Sequence, residues 1–96
     1  MPRANVQLNL SLTILREGKK FIAYTPALDL STPGDTFEQV KKRFGEAVSI
    51  FFEETLKHGT LDQALRELGW QKIGMRWIPP QVIACSSETV RVPVRA

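Results

Sequence analysis

Residues 35–58, which read DTFEQVKKRFGEAVSIFFEETLKH, decide the fold of this chain. Thr36 and Gln39 have the spacing of a capping box, with Asp35 as an alternative cap, so a helix is expected to begin there. Gly59 suits the left-handed position after a helix end. The apolar side chains between these signals recur at the spacing of one helix face: Phe37, Val40, Phe44, Ala47, Val48, Phe51 and Phe52. The pattern predicts an amphipathic helix of about five turns whose phenylalanine-rich face covers a small sheet.

The residues before this helix have strand patterns. Apolar and polar side chains alternate over residues 6–14, which predicts a strand with one buried face. Residues 17–20 contain a glycine and predict a hairpin turn. Residues 21–25 are aromatic and β-branched and predict the returning strand, and a third short strand is expected near residues 30–32. Three consecutive strands joined in this way predict an antiparallel meander.

The residues after the long helix predict a second, shorter helix and a return to strands. Thr60 and Gln63 repeat the capping-box spacing at the start of residues 61–68, and Gly69 closes that helix. Three candidate strands follow in a strand-rich tail over residues 71–96, namely residues 73–78, 82–84 and 90–94. Pro93 confines the last of them to a sheet edge.

The predicted fold is therefore α+β. It has a three-stranded antiparallel meander, a long crossover helix packed on one face, a short second helix and one or more C-terminal strands. A chain of 96 residues has room for one core, so residues 1–96 are expected to form a single domain, with its core over about residues 6–70.

From the cysteine content and the absence of apolar targeting or spanning segments, we expect a cytoplasmic protein. The single cysteine, Cys85, excludes an internal disulfide and is expected to be a half-buried apolar residue on a strand. The first residues lack the unbroken apolar stretch of a signal peptide, and no segment approaches the roughly 20 apolar residues that span a bilayer. We expect no association with a membrane.

The ionisable residues do not predict an enzyme. The single histidine, His58, lies at a predicted helix C-terminus, where an imidazole interacts favourably with the helix dipole. Asp35 and Glu38 share the first helical turn, where negative charge is favourable without any catalytic role. No phosphate-binding glycine loop and no zinc-ligand spacing occur. We expect no catalytic residue, no metal site and no cofactor, and a metal-dependent nuclease using Asp35 and Glu38 is the least favoured hypothesis.

Charge distribution leaves nucleic-acid binding open. The formal net charge is +3, yet residues 35–70 carry five basic and seven acidic groups, whereas residues 71–96 carry four basic groups and one acidic group. Trp70 and Trp77 lie near the basic groups, as in some stacking surfaces, although both positions also suit rings packed over a sheet edge, which we favour. The candidate nucleic-acid contacts are Lys72, Arg76, Arg91 and Arg95.

Two short motifs carry a resemblance to a known family. Residues 21–28, FIAYTPAL, are followed after a short loop by residues 34–40, GDTFEQV. Their order and spacing resemble the HicB-like antitoxins, in which an A-Y-x-P-x-L segment precedes G-D-T and an acidic helix start. The likeness runs from about residue 8 to residue 70 and continues loosely through residues 77–80.

The resemblance implies a partial ribonuclease H-like fold that lacks the catalytic carboxylates. It also implies a homo-oligomer, a dimer or tetramer, that binds and masks a HicA-type toxin, a small ribonuclease acting on messenger RNA. Three features depart from the family. Asp29-Leu30-Ser31 stands where members often have Pro-Gly-Cys, and the chain is net basic. The 26 residues after Trp70 are too few for the DNA-binding module of many antitoxins, so operator binding is not expected.

These considerations give one main hypothesis and two alternatives. The main hypothesis is a non-catalytic regulator of the HicB type that binds a HicA-like toxin through the loop bearing Tyr24, Pro26, Leu28 and Asp29. The alternatives are a nucleic-acid-binding module that uses the basic tail and an orphan protein-interaction domain. A terminal strand over residues 90–94 needs a neighbouring edge, and this favours a homo-oligomer in every case.

Overall fold

A computed structural model describes residues 8–95 and shows an α+β fold. The first three strands are β1 (Thr13–Glu17), β2 (Lys20–Thr25) and β3 (Leu30–Gly34), and they form an antiparallel meander in the order β1-β2-β3. Glu17 pairs with Lys20 across a two-residue turn. Gly18 begins that turn at φ 63°, a conformation that glycine adopts without steric cost. The predicted meander is confirmed.

Two helices and a small hairpin follow the meander. Helix α1 (Phe37–Lys57) is the long helix, and it packs against β2 and β3. Helix α2 (Leu61–Glu67) follows after Gly59, which has φ 67°. Strands β4 (Gln71–Ile73) and β5 (Arg76–Ile78) then form a separate two-stranded antiparallel sheet. The predicted order of elements is confirmed as far as this hairpin.

The start of α1 is fixed by side-chain capping. Thr36 is the N-cap residue, and its Oγ1 accepts a hydrogen bond from the backbone N–H of Gln39 at 3.0 Å. Gln39 Oε1 accepts in return from the backbone N–H of Asp35, at 2.6 Å. Two backbone donors at the helix start are thereby satisfied. In the usual capping box, the second side chain accepts from the backbone N–H of the N-cap residue, whereas here Gln39 accepts from the residue before it.

Helix α1 approaches the sheet most closely at Gly34. A Cβ at this position would lie 2.8 Å from the backbone nitrogen and Cα of Val40, a distance that real side chains do not tolerate. Val40 itself is fully buried, as are Ala23 and Thr25 on β2. The turn from β3 into α1 therefore depends on the absence of a side chain at residue 34.

The core joins the β2–β3 loop to the end of α2. Ala27 and Leu28 from the loop, Leu65 from α2, and Trp70 form one buried cluster. The indole Nε1–H of Trp70 donates a hydrogen bond to the Ala27 carbonyl oxygen at 2.7 Å. The Phe52 and Trp70 rings meet edge to face at 6.4 Å between centroids. The packed position predicted for Trp70 is confirmed.

The predicted first strand is displaced along the chain. Residues 8–12 form no strand and β1 covers only Thr13–Glu17, while residues 6 and 7 lie outside the described residues. The cause is the length of the neighbouring strand. Thr13 pairs with Tyr24, and β2 ends one residue later at Thr25, before the turn at Pro26. Among the residues that the structure describes, residues 8–12 therefore have no strand beside them, although they alternate as a strand does.

The C-terminal predictions need three corrections. Residues 73–78 are not one strand, because Gly74 at φ 63° turns the chain and separates β4 from β5. Residues 82–84 and 90–94 are not strands either, since residues 81–95 are exposed and pair with no strand within residues 8–95. Cys85 is consequently exposed rather than half-buried. The tail is strand-rich only as far as Ile78.

The predicted capping box of α2 is also wrong in its detail. Thr60 is the N-cap residue, but its side chain makes no capping hydrogen bond. The Gln63 amide instead donates to the Glu67 carboxylate one turn further along the helix, at 3.2 Å. Helix α2 is held mainly by burial of Leu65, which is consistent with the weak stability of short helices in isolation.

Candidate functional site

The loop predicted to bind a partner is a tight turn between β2 and β3. The Asp29 N–H donates to the Pro26 carbonyl oxygen at 3.3 Å, and Asp29 has φ 48°, a left-handed conformation that aspartate tolerates. The Tyr24 hydroxyl donates to Asp29 Oδ1 at 3.0 Å. This hydrogen bond, followed by desolvation and the Asp29 charge, raises the pKa of Tyr24 above its usual value. The Tyr24 side chain on β2 thus stabilises the turn.

Only part of the predicted partner site faces solvent. Pro26 and Asp29 are exposed and Tyr24 is half-buried, so these three residues can contact another molecule. Leu28, the fourth residue of the predicted contact, is 4% exposed and belongs to the core cluster, so its side chain offers little surface to a partner. Its neighbour Ala27 is also buried in this cluster, and the Ala27 carbonyl oxygen accepts the hydrogen bond from the Trp70 indole.

A groove of about 810 Å³ lies beside the long helix. Its walls come from α1, α2 and the β4–β5 hairpin, and residues 8–10 complete one side. Most of the lining is apolar: Val48, Phe52, Leu56, Leu65, Trp70 and Trp77. Trp70 also bonds the loop residue Ala27, so the groove and the Pro26–Asp29 turn meet at this ring.

The rim of the groove exposes large apolar side chains to water. Leu56 on α1 is 64% exposed, and Met75 at the tip of the hairpin is 96% exposed. Two charged residues, Glu53 and Arg76, also line the groove. A mostly apolar, open surface with isolated charges resembles the anatomy of protein interfaces.

Sequence reasoning missed this groove for identifiable reasons. The apolar stripe of α1 continues to Leu56, beyond the last phenylalanine assigned to the sheet-covering face. The hairpin that forms the opposite wall was interpreted as one straight strand, so no wall was expected there. The signal that could have found it is Gly74, which interrupts the apolar run between Ile73 and Trp77.

The ionisable side chains are arranged in separate pairs. Asp35 accepts a hydrogen bond from the Lys20 ammonium group, and this bond and the Lys20 charge hold the pKa of Asp35 below its ordinary value. His58 Nε2 lies 3.2 Å from Glu54 Oε2, one turn back on the helix, as suits a histidine at a helix end. Within residues 8–95, no three His, Cys, Asp or Glu side chains are grouped so as to hold a metal ion.

The four predicted nucleic-acid contacts belong to two different segments of the chain. Lys72 and Arg76 lie on the β4–β5 hairpin, whereas Arg91 and Arg95 lie on the extended segment that follows it. Lys72 Nζ is 3.5 Å from Asp62 Oδ2.

The Trp77 ring is engaged from within the chain. The Lys72 ammonium nitrogen lies 5.5 Å from its centroid, and the Arg66 guanidinium carbon lies at the same distance. Cation–π contacts of this kind occupy the ring that base stacking would need, and the half-buried ring also lines the groove. The preference for packing over stacking at Trp77 fits these contacts.

Comparison with protein-family models, with curated proteins and with solved structures finds no match to this chain. Among the described residues, no helix combines the length and the apolar character needed to cross a membrane.

Proposed function

We propose that this chain is a non-catalytic regulatory protein of the HicB antitoxin type, which binds and neutralises a small HicA-like, mRNA-cleaving toxin in the cytoplasm. The observation that carries the proposal is the open apolar groove walled by α1, α2 and the β4–β5 hairpin. The toxin docks in this groove, and the exposed part of the Pro26–Asp29 turn supplies a second contact beside it.

The groove suits a protein better than a small substrate. A small-molecule site encloses most of its ligand and orients it with a few converging polar groups. Here the rim is open, Met75 is almost fully exposed, and the two charged lining residues, Glu53 and Arg76, belong to different elements. Large apolar side chains at the surface gain most when a partner covers them, because their contact with water is then removed.

The two motifs that carry the family resemblance both shape this region. Residues 21–28 form most of β2 and enter the tight turn whose Ala27 carbonyl binds Trp70 in the groove wall. Residues 34–40 provide the glycine contact and the cap that start α1, the opposite wall. The motifs therefore act as structural supports for a docking surface, which is the role that an antitoxin requires.

Charge favours a basic partner along the helices. Residues 35–70, which include both helices, carry two more acidic than basic groups, although the whole chain is net basic. Glu53 brings one of these acidic groups to the groove itself. Opposite charge on a basic ribonuclease would speed its encounter with this face, while the apolar lining supplies affinity.

The test is co-expression with a small basic protein encoded next to this chain and resembling a HicA toxin. We expect a stable complex on purification, restored growth, and inhibition of RNA cleavage by the purified toxin. Met75→Lys should weaken the complex at least tenfold, because it places on the apolar rim of the groove a positive charge, which the basic toxin also carries. The matched control is Ile50→Lys, since Ile50 is also an exposed apolar residue but does not line the groove.

Two results would contradict the proposal. One is the absence of any complex when both proteins are folded. The other is equal weakening by Met75→Lys and Ile50→Lys, which would remove the groove as the docking surface. Toxin neutralisation by a chain that cleaves RNA itself would contradict the non-catalytic part.

A further inference from the structure

The net positive charge of this chain is concentrated in two short segments. Residues 16–20 and 35–43 together carry six basic and three acidic groups, whereas the rest of the sequence carries seven of each. The formal net charge of +3 therefore belongs to these two segments alone. Their basic residues, which we call the basic cluster, are Arg16, Lys19, Lys20, Lys41, Lys42 and Arg43.

The fold brings the two segments to the same end of the domain. Arg16 on β1 pairs with Phe21 on β2, and Phe21 pairs with Gly34 at the end of β3. Gly34 lies directly against Val40 in the second turn of α1, so this row across the sheet ends beside residues 41–43. The turn between β1 and β2 and the start of α1 are therefore neighbours.

Two side-chain contacts hold the segments in this arrangement. The Lys20 ammonium group donates a hydrogen bond to Asp35, just before α1. Arg43 Nη1 on α1 donates to the Pro33 carbonyl oxygen on β3, at 3.3 Å. Members of the basic cluster thus connect the sheet to the helix on both sides of the junction between β3 and α1.

Most of the charges in the basic cluster have no counter-charge. All six residues are exposed, and within residues 8–95 only Lys20 forms an ion pair, which it makes with Asp35. The other five cations repel one another, and binding of an anion relieves this repulsion. The cluster is therefore an electrostatic surface that attracts negatively charged molecules.

Two of the cations are held over aromatic rings. The Arg16 guanidinium carbon lies 5.7 Å from the centroid of the Phe21 ring, and the Lys41 ammonium nitrogen lies 5.5 Å from the centroid of the Phe37 ring. A cation–π contact restricts a long side chain while its residue stays exposed to solvent. Less side-chain entropy is then lost when these cations bind an anion.

The shape of the basic cluster favours a long polyanion over a small one. Within the described part of the chain, no residue of the cluster lines the groove or the smaller cavity between the ends of α1 and α2. A small ligand is bound in an enclosing pocket, whereas a nucleic acid binds an open basic surface through many phosphates and releases their counterions. Phe37 is 49% exposed beside the cluster, which gives an unpaired base an apolar surface to contact.

We infer that the basic cluster binds the phosphate backbone of single-stranded RNA. This inference adds a second ligand to the proposed function, and only the choice of RNA over DNA rests on that function, because the proposed partner acts on messenger RNA. The cluster and the groove lie on different turns of α1, since Lys42 and Phe52 are about 15 Å apart along the helix axis. RNA and a protein in the groove can therefore be bound at the same time.

The test measures binding of the full-length protein alone to a labelled oligouridine by fluorescence anisotropy. The oligouridine has about 12 nucleotides, which is within the site sizes of single-strand-binding proteins. Affinity should fall as salt rises, with a slope of log affinity against log salt concentration of about −3, as expected when about four or five cations contact a single strand. The double variant Lys41→Glu/Lys42→Glu should raise the dissociation constant at least tenfold and make this slope shallower by about one.

A matched control and a second variant accompany this measurement. Arg91→Glu/Arg95→Glu changes the net charge by the same amount on the exposed tail, and its affinity should stay within about twofold of wild type. Arg16→Gln/Lys19→Gln tests the basic cluster from the β1–β2 side without altering α1, and it should also weaken binding. Far-UV circular dichroism checks that each variant is folded.

Three outcomes would overturn the inference. Equal weakening by Lys41→Glu/Lys42→Glu and Arg91→Glu/Arg95→Glu would show that RNA responds to net charge or to the tail. Tighter binding of polyglutamate or of DNA, single-stranded or duplex, would assign the cluster to a different partner. No binding of the oligouridine at about 50 mM salt, where phosphate contacts are strong, would remove RNA as a ligand.

This test is independent of the test of the proposed function. No toxin is present in it, and none of the substituted residues lines the groove. Failure of RNA binding and failure of toxin binding are therefore distinguishable.

Discussion

Strand β2 and residues 90–94 both have strand-like sequences and have opposite structural outcomes. β2 is rich in aromatic and β-branched side chains, and residues 90–94 alternate valines with Arg91 and Pro93. β2 lies between β1 and β3 and beneath α1, and Ala23 and Thr25 on it are fully buried. Within the described part of the chain, residues 90–94 have neither a neighbouring strand nor a covering helix, and their valines are exposed. A strand-like sequence therefore shows that a segment can form a strand, and the presence of a neighbouring strand decides whether it does so.

The physical reason is that a strand satisfies none of its own backbone hydrogen bonds. A helix bonds within itself, so the periodicity of α1 suffices to predict it. A strand needs a second chain segment at the right distance and an apolar surface to cover one face. Both conditions are met between residues 13 and 34, where short turns bring the strands together. Neither condition is met by the described residues after Ile78.

The largest expected effect comes from truncating an apolar side chain in the packed region and in the tail. Leu65 is 1% exposed in the core cluster, whereas Ile83 is 96% exposed. Leu65→Ala should lower the free energy of unfolding by about 2–5 kcal/mol, because it removes buried methyl groups and leaves a cavity. Ile83→Ala should change it by less than about 0.5 kcal/mol. Urea denaturation of both variants measures the difference.

This pair of variants tests whether the tail is less packed than the core. Equal destabilisation by Leu65→Ala and Ile83→Ala would mean that the tail is packed as well as the core is. Dilution separates the two sources of stability, because an effect at residue 83 that depends on chain concentration belongs to association between copies and not to the fold of one chain.

The predictable parts of the molecule are those whose signals are local. Gly18, Thr36 and Gly59 each mark a turn or a helix boundary, and the structure places a boundary at each. The strand boundaries were predicted less well, because the start of β1 depends on where β2 ends at Thr25. The first residue of β1 is therefore set by the turn that ends β2, and the sequence of residues 6–14 contains no signal for it.

The candidate site was predictable only in part, for a related reason. Pro26 and Asp29 lie in a surface turn, which a proline and an aspartate signal locally, and Tyr24 lies on β2 just before it. Leu28 is buried in a cluster with Leu65 and Trp70, and the hydrogen bond that joins this turn to Trp70 links residues that are 43 positions apart in the sequence. The groove requires α1, α2 and the hairpin to be placed together, and no periodicity in one element contains that information.

A smaller effect should distinguish the two helix starts, which share a sequence signature and differ in structure. Thr36 Oγ1 accepts the Gln39 N–H, whereas the Thr60 side chain makes no capping bond. Thr36→Ala should destabilise the protein by about 1 kcal/mol, since it leaves a backbone donor without its partner. Thr60→Ala should remain within about 0.5 kcal/mol of wild type. Thermal unfolding measures both, and an equal loss at the two positions would contradict the assigned difference in capping.

The smallest expected effect is electrostatic, and it compares Asp35 bound to Lys20 in the folded protein with Asp35 in the unfolded chain. Asp35, beside the start of α1, binds the Lys20 ammonium at the start of β2, and this contact lowers the pKa of Asp35 below its ordinary value of 3.8. The folded protein therefore binds the ionised form better than the unfolded chain does. The resulting stability is present above pH 3.8 and is lost as the pH falls through the lower folded pKa.

Asp35→Asn removes this titration while keeping the size of the side chain. The melting temperature of the variant should lie below that of wild type at pH 6, and the gap should narrow as the pH falls below 3.8 because the wild-type carboxyl then loses its charge. Both groups are mostly exposed, so added salt should also narrow the gap at pH 6. Lys20→Gln is the matched control and should reproduce the same pH dependence from the other side of the pair. A gap that is constant with pH and salt would show that the contact between β2 and α1 does not depend on charge.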